Sequence, residues 1–78
     1  MNRSEILEKV IEVAADILAV DAEGITEEST LEELEADSLD AVEIITALEE
    51  EFEISFDDDQ LETLDSLSSL VDAIENLA

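Results

Sequence analysis

The chain contains neither cysteine nor histidine, so covalent chemistry falls to hydroxyls and carboxylates, without a thiolate nucleophile or an imidazole base. Two serines sit in the same tripeptide, Asp37-Ser38-Leu39 and Asp65-Ser66-Leu67. A serine opening a helix lies beside backbone N–H groups that lack intrahelical acceptors, at the positive end of the helix dipole, which is a favourable place for a phosphodiester. The ordinary reading of either tripeptide is a capped helix start. The residues that follow separate the two. After Ser38, the acids Asp40, Glu43, Glu49 and Glu50 interleave with Leu39, Val42, Ile45 and Leu48; after Ser66 comes Ser68-Ser69-Leu70-Val71, with no acidic stripe. The acidic apolar stripe thus sets Ser38 apart, while Ser66 is placed as a helix cap. Asp37 and Asp40 would repel a phosphate, so they are better explained as recognition groups for a basic modifying enzyme.

Positioning Ser38 requires helices. Ile6, Leu7, Val10, Ile11, Ala14, Ile17 and Leu18 recur at three-and-four spacing and predict a helix over 4–18. Residues 21–36 hold the sole glycine, Gly24, and several turn formers, which predicts a long loop with at most a short helical turn; Thr30 and Glu33 have capping-box spacing within it. A second helix is predicted over 38–51, with Leu39, Val42, Ile45, Leu48 and Phe52 along one flank. Asp57 and Gln60 are placed to cap a short helix ending near Leu64, and Leu67, Leu70, Val71, Ile74 and Leu77 predict a last helix with Ser66 as N-cap. No alternating run is long enough for a strand. The expected fold class is all-α, a four-helix bundle of three main helices and one short helix with a long first loop, forming one domain over 1–78. A hydrophobic fraction of 46% supports a core despite 35% charged residues.

The net charge of −23, from 25 acidic residues against Arg3 and Lys9 alone, disfavours nucleic acid and anionic lipid and favours basic protein partners. An acidic helix face is ordinarily a solvated one. Here Asp40, Glu43, Glu49 and Glu50 have no cation within a turn, so the face projects a field that steers basic partners. No apolar stretch is long enough for membrane insertion and Met1–Lys9 lacks the apolar core of a signal peptide, so a cytoplasmic location is the default expectation. A calcium loop starting at Asp57 needs glycine at its sixth position and glutamate at its twelfth, where the chain has Glu62 and Ser68. No metal site is expected. Nor is paired-carboxylate hydrolysis, for want of a cleft or of any Trp or Tyr.

The segment Glu35-Ala36-Asp37-Ser38-Leu39-Asp40-Ala41-Val42-Glu43-Ile44-Ile45-Thr46-Ala47-Leu48-Glu49-Glu50-Glu51-Phe52 resembles the acyl carrier protein family, whose Asp-Ser-Leu serine receives 4′-phosphopantetheine. Length, helix spacing, long first loop, acidity and apolar final helix extend the resemblance over the whole chain. It implies a non-catalytic, monomeric carrier with the arm on Ser38, holding acyl intermediates as thioesters in biosynthesis of fatty acid, lipid or polyketide type. The implied partners are a phosphopantetheinyl transferase and acyl-transferring or synthase enzymes with basic docking surfaces. They would dock on Asp37, Leu39, Asp40, Val42, Glu43, Glu49 and Glu50. An acyl chain would lie among Ile45, Leu48, Phe56, Leu61, Leu64 and Val71, which any bundle would first of all use as core. An aminoacyl or peptidyl carrier would share Ser38, whereas an unmodified acidic module would bind basic partners through helix two alone. Two departures point to a specialised carrier. Glu35 stands where carriers usually have glycine, so the loop lacks easy access to positive φ there. Phe56-Asp57 replaces an aliphatic residue and proline, and the ring is expected to narrow the acyl cavity.

Overall fold

The computed structural model describes residues 2–61 and 64–77, apart from the side chains of Asp58 and Leu61. Helix α1 runs Arg3–Leu18 and is opened by Asn2, whose side-chain oxygen accepts from the Glu5 amide at 2.9 Å. After a 3₁₀ turn at Ala22–Gly24, the chain reaches α2 (Ser38–Phe52), the short α3 (Asp58–Leu61) and α4 (Leu67–Leu77). The three main helices stand where the apolar spacing placed them, the short one begins beside the expected Asp57–Gln60 capping pair, and the class is all-helical. Among the described residues no strand forms, although an isolated bridge pairs Thr30 with Ser66.

Ile6, Val10 and Ala14 give α1 its buried face, and α1 packs against both α4 and α2. Helix α4 contributes Leu67, Leu70, Val71, Ala73 and Ile74, and the connections add Ile25, Leu31, Phe56 and Leu64. Burying each large aliphatic side chain is worth about 1.5–3 kcal/mol. Helix α2 differs from the expected arrangement, because its inward residues are Ile44 and Leu48, while Leu39 and Val42 face solvent at 67% and 57% exposure. The helix carries more apolar residues than one buried stripe uses, and the Ile44–Leu48 spacing of four sets the inward side.

The long loop is stitched to the start of α4. The Leu31 amide donates to the Asp65 carbonyl (2.9 Å), Leu67 to Ser29 (3.0 Å) and Ser68 to Glu27 (3.0 Å). Arg3 joins the same junction: its guanidinium donates to Glu27, to Asp72 (2.6 Å), to Glu75 (2.5 Å) and to the Ser68 hydroxyl (3.3 Å). Lys9 bridges α1 to α2 through Glu51 at 3.0 Å. The expected caps form as well. Thr30 Oγ1 accepts from the Glu33 amide (3.0 Å), and the Gln60 side chain accepts from the Asp57 amide (2.9 Å).

Three chain reversals use the left-handed backbone without glycine. Ala19 (φ 56°), Glu35 (φ 60°) and Glu53 (φ 55°) each follow a helical turn, and the next amide in each case reaches back five residues, Val20 to Ala15, Ala36 to Leu31 and Ile54 to Glu49. Glu35 thus takes the positive φ that was expected to be out of easy reach. Each Cβ in that region costs roughly 1–2 kcal/mol. Gly24, in contrast, has no positive φ, and nothing lies within 4 Å of a Cβ built upon it. We therefore expect Ala19→Gly and Gly24→Ala each to stabilise the fold, by about 0.5–1 kcal/mol, in urea unfolding followed by circular dichroism. Destabilisation by either exchange would contradict this backbone assignment.

Candidate functional site

The site begins with how the chain enters α2. Asp37 is the N-cap; its carboxylate accepts from the Asp40 amide at 2.8 Å, and Asp40 reaches back toward the Asp37 amide at 3.4 Å. The two acids read as recognition groups are thus also a reciprocal cap that fixes the first turn. Ser38 is the first residue of the helix, exposed, and its hydroxyl has no hydrogen-bond partner among the described residues. The amides of the first turn face the same end of the helix, so an anion on this hydroxyl would meet the positive end of the dipole.

The second Asp-Ser-Leu is placed quite differently. Ser66 is half-buried, its Oγ accepts from the Ser69 amide (3.1 Å) and lies 3.2 Å from the Ser69 hydroxyl, and its backbone joins the bridge to Thr30. It caps α4, as expected. Among the described residues no cluster of carboxylates is arranged to hold a metal ion.

An open groove of about 350 Å³ starts at Ser38 and is lined by Ala41, Val42, Ile45, Thr46, Glu49 and Leu64. Of the residues expected around an acyl chain, Ile45 and Leu64 line this groove. Leu48, Phe56 and Val71 belong to the core, with Phe56 only 7% exposed, and the side chain of Leu61 lies outside the described residues. Of the residues expected to dock partners, Asp37, Leu39, Val42, Glu43 and Glu50 are exposed and Asp40 is half-buried. Glu49 is half-buried, and its Oε2 accepts from the Phe56 amide at 2.9 Å, so this carboxylate is partly committed within the chain. Sequence spacing offered no signal for that contact, seven residues apart across a chain reversal. No cation among the described residues pairs with Asp40, Glu43, Glu49 or Glu50; both basic residues are engaged elsewhere.

The fold and the sequence define a phosphopantetheine-attachment domain: residues 8–74 match the family described as "Phosphopantetheine attachment site". The acyl carrier protein of Thermosynechococcus vestitus is 49% identical over 77 residues, covering 97% of this chain and 95% of that protein. That of Rubrobacter xylanophilus is 44% identical over 75 residues, covering 95% and 93%. The crystal structure of the acyl carrier protein from Thermotoga maritima superposes with a TM-score of 0.83 at 28% identity, over 97% of this chain and 89% of that one. The chain belongs to the acyl carrier protein family and is a phosphopantetheine-bearing acyl carrier. An exposed, unpartnered serine hydroxyl at a helix start fits that group. Among the described residues, no helix is long and apolar enough to cross a membrane.

The contrast between the two serines can be measured without any partner. Ser66→Ala should lower unfolding stability by about 1 kcal/mol through loss of the cap, while Ser38→Ala should stay within about 0.5 kcal/mol of the parent. Equal losses in urea titrations would mean that Ser38 also has a structural role.

Proposed function

We propose that Ser38 carries the phosphopantetheine arm and that the chain is a non-catalytic carrier which α2 presents to basic partner enzymes. One observation carries this reading: of two serines in identical tripeptides, Ser38 has an exposed and chemically idle hydroxyl while Ser66 is consumed by its cap. The bound arm supplies a terminal thiol for acyl thioesters, a nucleophile that this cysteine-free chain lacks. Ser38 supplies the oxygen of the phosphodiester, and the capped first turn holds that oxygen at the protein surface. Leu39 and Val42 supply apolar contact beside it, and Glu43 and Glu50 supply uncompensated charge.

Incubation with coenzyme A, Mg²⁺ and a broad-specificity phosphopantetheinyl transferase should add one phosphopantetheine mass to the parent and to Ser66→Ala, and none to Ser38→Ala. Modification of Ser38→Ala, or none of the parent with several transferases, would overturn the assignment.

The docking face yields a separate expectation. Glu43→Lys combined with Glu50→Lys leaves the Asp37–Asp40 cap and the Glu49 contact in place, so helicity should be retained. Reversing two charges should slow transferase-catalysed modification on the order of tenfold at low salt, with the deficit shrinking as ionic strength rises. Equal rates for variant and parent at low salt would reduce this face to solvated surface.

A further inference from the structure

A second concavity, at about 670 Å³ larger than the groove beside Ser38, lies on the outer side of α1 and shares no lining residue with that groove. Glu8, Glu12 and Asp16 line it at four-residue intervals, which stacks them about 6 Å apart along the helix. Between them lie Ile11 and Ala15, and beyond Asp16 lies Val20, 41% exposed. Neither Glu8 nor Asp16 has a cation in ion-pair reach among the described residues, and Glu12 has only Lys9, at 4.0 Å, whose nearer partner is Glu51 at 3.0 Å. None of these three acids serves the α1–α4 or α1–α2 packing, which uses the Ile6, Val10 and Ala14 side.

We propose that this face of α1 is a second docking surface, and that it takes a basic amphipathic helix of a partner protein. Charge and shape select that occupant together. A net charge of −23 repels nucleic acid and anionic lipid, and a neutral apolar molecule would leave the three rim carboxylates without counterions. A helix with an apolar ridge edged by Lys or Arg at four-residue spacing matches both the groove and the rise of the acids beside it, since both helices advance about 6 Å per four residues. Because the two concavities are separate, a partner held at α1 leaves Ser38 and α2 free. The α1 face therefore tethers the carrier to one protein while others act on its arm.

The test uses the full chain, isotopically labelled, titrated at low salt with a synthetic helical peptide that carries leucine along one side and lysine at every fourth position on its edge. Amide shift changes should centre on Ile11, Ala15 and Val20. Glu8→Lys with Asp16→Lys should weaken binding about tenfold, whereas Glu43→Lys with Glu50→Lys should change it less than about twofold. Val20→Ser, an exposed change that leaves the charges untouched, should weaken binding at least about threefold. Glu8→Gln with Asp16→Asn serves the same purpose should the charge reversal unfold the chain. Saturating peptide should leave the rate of phosphopantetheine transfer to the parent unchanged. Shifts centred on Leu39 and Val42, equal losses from the α1 and α2 variants, absence of binding, or inhibition of transfer by the peptide would each overturn the proposal. Failure of the Ser38 assignment would instead appear as absence of transfer without any peptide.

Discussion

Like-charge repulsion is the constraint around which this chain is organised. Twenty-five carboxylates share a small fold with two cations, and both cations stand where helices must meet. Arg3 gathers Glu27, Asp72 and Glu75, and so draws the long loop and α4 onto the start of α1. Lys9 draws α2 onto the middle of α1 through Glu51. Hydrogen bonds to these carboxylates raise the pKa of both basic groups, Arg3 chiefly through Glu27 and Lys9 chiefly through Glu51. A raised folded-state pKa gives a contribution that is complete below the unfolded value and fades only as pH climbs through the folded one. Both contacts therefore persist throughout the neutral range, where salt is what weakens them.

The same scarcity of cations explains the character of α2. With Arg3 and Lys9 spent at helix junctions, no countercharge remains among the described residues for Asp40, Glu43 or Glu50. The helix also divides its apolar residues between two directions, Ile44 and Leu48 inward and Leu39 and Val42 outward. Asp37 and Asp40 serve on both counts, since their carboxylates close the first turn while adding to the field around Ser38. The residues proposed for association are thus also residues that fold the helix start.

How much of this was legible in the sequence depended on distance along the chain. The three main helices were visible because their apolar spacing is local, and the two Asp-Ser-Leu tripeptides were separable because the residues following each differ. The inward side of α2 was not visible, since a helix with apolar residues in two directions has no single stripe to read. Glu35 showed the limit of reasoning from residue type: without glycine the loop was expected to lack easy access to the left-handed backbone, yet Glu35 adopts it and the hydrogen bond from Ala36 to Leu31 accompanies it. The bridge from Thr30 to Ser66 and the bond from Phe56 to Glu49 join residues whose partnership no spacing rule encodes.

The pairing of the first helix with the last bears on how the chain acquires its structure. Arg3 meets Asp72 and Glu75 across sequence separations of 69 and 72 residues, so the contacts that define this fold cannot form by local zippering. Closing so long a loop costs entropy before any reward arrives. Helical folds usually reach the native state quickly because their neighbours in space are neighbours in sequence. In this one, α1 and α4 can pack only after every residue between them is in place, so the fold closes through contacts between distant segments and not along the chain.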